Sequence, residues 1–140
     1  MPDTPEITIL FACRQNAGRS QIAAALAKHF IQQNNLHNVI ILSAGSEPAD
    51  NVHPQVVQVL AQLGLSPDSS PKQLLPEDVK RADYVITMGC SETCPFFPGV
   101  HYEDWKISDP HHKSSEEVRE IAQEIKARVE DLFNRILAKS

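Results

Sequence analysis

A cysteine and an arginine six positions apart suggest nucleophilic chemistry on an oxyanion. The segment runs from Cys13 to Arg19, with Gly18 and Ser20 beside the arginine. A thiolate is a strong nucleophile, and a guanidinium fork binds two oxygens of a tetrahedral anion at once. Ser20 can donate a hydrogen bond that favours the thiolate over the thiol. The spacing therefore predicts a nucleophile placed under an oxyanion.

The elements on either side can position this loop. The run Ile7 to Ala12 is β-branched and aromatic, which is typical of a buried strand. From Ser20 onwards, apolar residues recur at helical spacing. A loop between a strand and a helix can turn its N–H groups into a concave nest facing the positive helix end. We expect the oxyanion to be bound there, with Gly18 relieving the tight turn and Asn16 bracing the loop. The residues expected to bind it are Arg14, Gln15, Asn16, Ala17, Gly18, Arg19 and Ser20.

The structural alternative is a buried cysteine that packs as a small apolar residue, with Arg19 on the surface. A cysteine and an arginine at this spacing are common by chance. The preceding strand, the following helix, and the asparagine, glycine and serine within the loop favour the catalytic interpretation.

The rest of the chain alternates strands with helices. Strands are predicted at Val39–Ala44, at Tyr84–Met88 and near Tyr102–Lys106, with helices from Pro54, over 76–82 and from Ser114 or Ser115. Such βαβ units predict an α/β three-layer sandwich, with a four-stranded, mainly parallel sheet and helices on both faces. We expect one domain over residues 1–140. Ligands bind beyond the carboxyl ends of parallel strands. Four loops are expected to meet at that edge of the sheet, and they carry Cys13, Gly45, Cys90 and Asp109.

Composition narrows the function. A net charge of −5 over 140 residues argues against a general nucleic-acid binder. There is neither an apolar run of the ~20 residues needed for a membrane span nor a secretory leader, so we expect a cytoplasmic protein. Cys13, Cys90 and Cys94 are then expected to be catalytic or metal-binding rather than disulfide-bonded. No nucleotide fingerprint is present, and no cofactor or metal is expected, because well-spaced histidines do not complete a zinc site.

Five segments resemble a known family. "CRQNAGRSQ", "SAGSEP" and "VHP" resemble the low-molecular-weight tyrosine phosphatases and the arsenate reductases built on the same fold. "VITMGCSETCPFFPG", followed by "YEDWKISDP", resembles the arsenate reductases alone. The resemblance covers nearly the whole chain. It implies the phosphatase fold and a cytoplasmic reductase of arsenical resistance, for which phosphate and sulfate are competing oxyanions.

The resemblance also implies roles for individual residues. Asp109, which precedes a proline, would be the general acid. Cys13 would form a thiol–arsenate adduct, Cys90 would attack its sulfur and release arsenite, and Cys94 would take over the disulfide, which an external reductant such as thioredoxin then reduces. The best-known relay has more residues between its second and third cysteines, whereas other relatives resolve the adduct with mycothiol or glutathione and a redoxin.

Four other interpretations stay open. The protein could be a small-thiol arsenate transferase that needs only Cys13, or a phosphatase acting on phosphotyrosine or small esters. It could be a non-catalytic oxyanion sensor, although binding alone needs neither a nucleophile nor an acid. Cys90 and Cys94 could also be structural loop thiols.

Overall fold

A four-stranded parallel sheet forms the centre of the protein. The computed structural model describes residues 6–67, 70–89 and 94–138. The strands are β1 (Ile7–Cys13), β2 (Val39–Gly45), β3 (Tyr84–Met88) and β4 (His101–Asp104), in the spatial order β2-β1-β3-β4. Every pairing is parallel. The predicted doubly covered α/β sheet is confirmed.

In the described part of the chain, four helices connect and cover the strands. They are α1 (Arg19–Gln33), α2 (Pro54–Gln62), α3 (Pro76–Arg81) and α4 (Ser115–Ala138). Ser114 caps α4 by reciprocal bonds with Glu117, whose N–H donates to the serine Oγ and whose carboxylate accepts the serine N–H. The predicted helix starts are thus confirmed to within a residue. None of the helices in the described ranges is both long enough and apolar enough to cross a bilayer.

The alternating side chains of β1 divide the core into two layers. Ile9, Phe11 and Cys13 face the larger apolar cluster, which is shared with α1, α2 and α4. Leu10 and Ala12 face a smaller cluster on the other side of the sheet, with Val79 of α3. The nucleophile therefore stands at the end of a strand that is buried on both faces, which fixes its position.

The fourth strand is shifted from the predicted range. It spans His101–Asp104 rather than Tyr102–Lys106, although the Trp105 N–H still donates to the Thr87 carbonyl at 2.9 Å. Trp105 is 4% exposed and packs near Phe11, with ring centroids 6.0 Å apart. The chain leaves the edge of the sheet after this residue and turns back across the carboxyl ends of the strands.

Candidate active site

The loop after β1, called the cradle below, has carbonyl groups that accept hydrogen bonds from N–H groups outside the loop. The N–H groups of Ser46, Glu47, Ala49 and His53 donate to the carbonyls of Cys13, Arg14, Gln15 and Ala17 at 2.7–3.2 Å. Gln21 Nε2 donates to the Asn16 carbonyl at 3.0 Å. Within the described residues, the amides of positions 14, 15, 17 and 18 have no protein acceptor. A loop with occupied carbonyls and free N–H groups can bind an anion.

Cys13 receives two hydrogen bonds inside this loop. Its Sγ lies 2.9 Å from Ser20 Oγ and accepts the Asn16 N–H at 3.2 Å. The thiol is 2% exposed, at the point where α1 begins. Both contacts and the positive end of α1 favour negative charge on sulfur. The predicted contact between Ser20 and the nucleophile is present.

A chain of hydrogen bonds fixes which way the Ser20 hydroxyl points. The Lys72 N–H donates to Asn16 Oδ1 at 2.9 Å, so Asn16 presents its Nδ2 to Ser20 Oγ, 2.7 Å away. Ser20 is therefore an acceptor on that side, and its own proton is left for Cys13. Asn16 holds this position with a positive φ of 51°, a conformation that asparagine tolerates.

Gly45 allows β2 to pack beneath the loop. A Cβ at this position would stand 2.7 Å from both the Arg14 carbonyl oxygen and the Asn16 amide nitrogen. Gly45 also pairs with segment 72–74, donating to the Lys72 carbonyl and accepting from the Leu74 N–H. The second strand thus ends on a glycine because the backbone of the cradle rests on it.

Arg19 lies at the edge of the cradle with part of its hydrogen-bonding capacity unused. Its Nη1 donates to the Ile107 carbonyl at 3.1 Å, and its Nη2 lies 3.8 Å from Asp109 Oδ2. Its Nε is buried and has no hydrogen-bond partner among the described residues. A buried guanidinium N–H without an acceptor is costly. An oxyanion on Cys13 would supply that acceptor.

Asp109 reaches the site because Gly18 has no side chain. A Cβ on Gly18 would stand 2.6 Å from Cγ of Pro110, the residue after Asp109. Close approach to Pro110 is thus a second reason for a glycine here, beside the tight turn predicted from the sequence. Asp109 Oδ1 accepts the His111 N–H at 3.0 Å, which orients the carboxyl group.

These residues surround one cavity of about 220 Å³. Cys13, Arg19 and Asp109 all line it, so the structure brings the predicted nucleophile, clamp and acid together. Asn16, Ala17 and Ser20 are fully buried behind the loop and support it from there. The residues that line the cavity are Cys13, Arg14, Gln15, Gly18, Arg19, Glu47, His53, Asp109 and His111.

The family model for low molecular weight phosphotyrosine protein phosphatases matches residues 8–140, which include the whole site. This chain belongs to that family. A Halobacterium salinarum protein provisionally assigned as an arsenate reductase is 38% identical over 126 residues, 89% of each chain. The thioredoxin-dependent arsenate reductase of Corynebacterium glutamicum is also 38% identical, with a TM-score of 0.83 over 99% of this chain and 66% of that one.

Phosphatases share the fold at lower identity. A protein tyrosine phosphatase from Entamoeba histolytica superposes with a TM-score of 0.85 at 21% identity, covering 96% of this chain and 99% of that one. At that identity the likeness shows the phosphatase fold alone. The relatives at 38% identity are both described as arsenate reductases.

The other two cysteines of this family member are not part of the described cavity wall. Cys94 is half-buried and packs with Phe97 and Tyr102 against the smaller apolar cluster. Burial raises the pKa of its thiol. Cys90 lies outside the described residues. Its neighbour Gly89 has a φ of +95°, and a Cβ there would stand 2.9 Å from both terminal nitrogens of Arg19.

Three histidines stack beside the phosphatase-type loop, an arrangement that no spacing pattern in the sequence predicts. The rings of His53 and His111 lie 4.3 Å apart at 9°, and those of His111 and His112 lie 3.7 Å apart at 27°. His53 is 9% exposed, whereas His111 and His112 are exposed. Among the described residues, no cluster of histidine, cysteine or carboxylate side chains could hold a metal ion.

Glu103 is held by several hydrogen bonds rather than solvated. It accepts two bonds from Arg135, at 2.6 and 3.1 Å, and one from Trp105 Nε1 at 3.1 Å. The bond from Arg135 holds the pKa of Glu103 at about 2, against the opposing effect of burial. Asp104 accepts the Thr87 hydroxyl at 2.7 Å and pairs with Lys106. Both carboxylates therefore have structural partners.

Proposed function

We propose that this protein reduces arsenate to arsenite in a thiol-linked reaction. Cys13 is the nucleophile, Arg19 clamps the oxyanion and Asp109 is the general acid. The observation that carries the proposal is the common cavity of these three residues, with the buried, unpaired Nε of Arg19 beside it. The 38% identity to a thioredoxin-dependent arsenate reductase supports arsenate as the substrate.

In the first step, the Cys13 thiolate attacks arsenic and an As–S bond forms. An As–O bond breaks on the opposite side, and the departing hydroxyl takes a proton from Asp109 and leaves as water. Backbone N–H groups of the loop and Arg19 stabilise the charge on the remaining oxygens. The product is a thiol–arsenate adduct in which arsenic is still pentavalent.

In the second step, the Cys90 thiolate attacks the sulfur of Cys13. An S–S bond forms, the As–S bond breaks, and its electron pair stays on arsenic, which leaves as arsenite. The position of Gly89 supports this assignment, because Cys90 is bonded to a residue packed against the Arg19 guanidinium. The loop that carries Cys90 thus begins beside Arg19.

In the third step, Cys94 attacks Cys90 and frees Cys13. Cys94 must leave its packing for this step, because a buried thiol with a raised pKa is a poor nucleophile. The Cys90–Cys94 disulfide is then reduced by an external dithiol of the thioredoxin class. Mycothiol or glutathione with a redoxin is the alternative donor. Because either donor belongs to a reducing compartment, the proposal includes a cytoplasmic location.

Steady-state assays with defined donors test this function. The reduced protein is incubated with arsenate and thioredoxin, thioredoxin reductase and NADPH, and separately with mycothiol or glutathione plus the matching redoxin. Arsenite is measured in each case. In parallel, the release of nitrophenol from para-nitrophenyl phosphate measures phosphatase activity.

We expect arsenite with at least one donor and its loss in Cys13→Ser. A relay requires Cys90→Ser and Cys94→Ser to lose turnover with thioredoxin. Full activity of both variants with a small thiol would make the protein a transferase that needs only Cys13. Rapid nitrophenol release without arsenite from any donor would make it a phosphatase.

A further inference from the structure

The imidazole of His53 is a rigid part of the cavity wall. Its backbone N–H donates to the Ala17 carbonyl at 3.0 Å, at the point where α2 begins. One face of the ring stacks on His111, and its Cδ2 would lie 3.4 Å from a Cβ built on Gly18. The ring is therefore fixed against the cradle at the same place as the Asp109–Pro110 turn.

The polar atoms of this ring are unused by the protein. Among the described residues, neither ring nitrogen of His53 has a hydrogen-bond partner, although the residue is 91% buried and lines the cavity. Burial lowers the pKa of His53, and the charge of His111 lowers it further, while Asp109 has the opposite effect. A neutral imidazole offers one N–H donor and one nitrogen acceptor.

An acceptor in the cavity distinguishes anions of equal charge and shape. Hydrogenarsenate and hydrogenphosphate are tetrahedral dianions that carry one O–H group. Sulfate is a tetrahedral dianion without a hydrogen. The loop amides and Arg19 are donors, so they serve all three anions alike. An O–H group buried without an acceptor loses affinity, and an acceptor facing a bare oxygen repels it.

We propose that His53 is a specificity-determining residue that accepts the hydrogen bond of the substrate's O–H group and so selects hydrogenarsenate over sulfate. This inference deepens the proposed function but depends only on its oxyanion site, not on the redox steps. The same contact places the O–H group beside Asp109, which protonates that oxygen as it leaves.

The other acceptors of the cavity wall are less suited to this task. Asp109 must carry a proton to act as the acid, and a carboxyl group that donates to an oxygen cannot also accept its hydrogen through the same atom. Glu47 is bound to Arg14 at 2.8 Å, and both side chains are about two-thirds exposed. His111 is stacked between two imidazoles and is itself exposed.

Calorimetric titration of a Cys13→Ser variant tests the proposal without any turnover. At about pH 8 histidine is neutral, so the dissociation constants for hydrogenphosphate, hydrogenarsenate and sulfate report the acceptor directly. We expect His53→Phe, which keeps a stacking ring, to weaken hydrogenphosphate and hydrogenarsenate about tenfold. Sulfate binding should weaken less or improve. The ratio of the dissociation constant for sulfate to that for hydrogenphosphate or hydrogenarsenate therefore falls.

Two further variants complete the test. His53→Gln, whose side-chain oxygen can accept, should keep part of the selectivity. The control is His37→Phe, because His37 is exposed and follows the far end of α1. In protein with ¹⁵N-labelled histidine, the acceptor nitrogen of His53 should shift on adding hydrogenphosphate but not sulfate. This second measurement needs no substitution at position 53.

An unchanged ratio in folded His53→Phe, or identical shifts with the two anions, would overturn the proposal. Selectivity that survives in His53→Phe but disappears in Asp109→Asn would assign the acceptor to Asp109 and overturn it as well. A protein that shows the expected selectivity yet produces no arsenite would refute the proposed reductase activity alone.

Discussion

Gly18 and Pro110 lie in contact across the mouth of the cavity, so closely that a Cβ on the glycine would be 2.6 Å from the proline Cγ. This contact joins the nucleophile loop to the turn that carries Asp109. The distance between the Cys13 thiolate and the Asp109 acid therefore depends on Gly18 having no side chain.

Gly18→Ala should slow the chemical step by displacing that turn. We expect a loss of about 10- to 100-fold in the single-turnover rate, since small misplacements of reacting groups have effects of that size. If the effect acts through the acid, it should not add to that of Asp109→Asn. Fully additive losses in the double variant would show that Gly18 acts in another way.

Asp109→Asn removes the acid but keeps the Asx-type bond to the His111 N–H. General acid catalysis contributes about 10²- to 10⁴-fold, and we expect a loss in that range in the rate of adduct formation. Rapid quenching with arsenate in excess measures this rate. A variant that reacts as fast as the wild type would place the acid elsewhere.

Ser20→Ala should make the Cys13 thiolate less stable. The variant loses the hydroxyl 2.9 Å from the sulfur and leaves Asn16 Nδ2 without its acceptor. We expect alkylation of Cys13 by iodoacetamide at slightly acid pH to slow about tenfold. Ser114→Ala, which removes the cap of α4, is the matched control. It should reduce stability by about 1 kcal/mol and leave the alkylation rate unchanged. Equal rates in both variants would refute the role of Ser20.

Glu103 should make stability depend on pH in the acid range. Its folded pKa of about 2 lies below the ordinary value of 4.5, so the stabilisation is complete above pH 4.5. It is lost as the pH falls from there towards 2, and it amounts to at most about 3 kcal/mol. Urea unfolding between these pH values should show this slope in the wild type and a smaller slope in Glu103→Gln. The same slope in both would assign the effect to other carboxylates.

The fold and the nucleophile loop could be predicted because their signals are local. Buried strand runs, helical spacing after Ser20 and the serine before α4 each depend on a few neighbouring residues. The boundaries of β4 were shifted because an edge strand of four residues carries little periodicity. Its length depends on the long-range bond between Trp105 and Thr87.

Features that depend on contacts between distant segments were missed. The stack of His53 on His111 joins residues 58 positions apart, and no spacing pattern marks it. No sequence pattern predicts the contact of Gly89 with Arg19, because it arises where β3 ends beside α1. Glu103 has no sequence signal for its partner Arg135, which approaches from the last helix. Acid–base partners and close approaches of this kind become visible only in three dimensions.

A single turnover without external reductant tests the proposed relay most directly. Protein that is fully reduced and freed of small thiols is mixed with excess arsenate, and arsenite and remaining free thiols are counted. We expect up to one arsenite per chain and the loss of two of the three thiols. Mass spectrometry should find a Cys90–Cys94 disulfide in the wild type and a Cys13–Cys90 disulfide in Cys94→Ser. Three intact thiols and no arsenite until glutathione or mycothiol is added would contradict the relay.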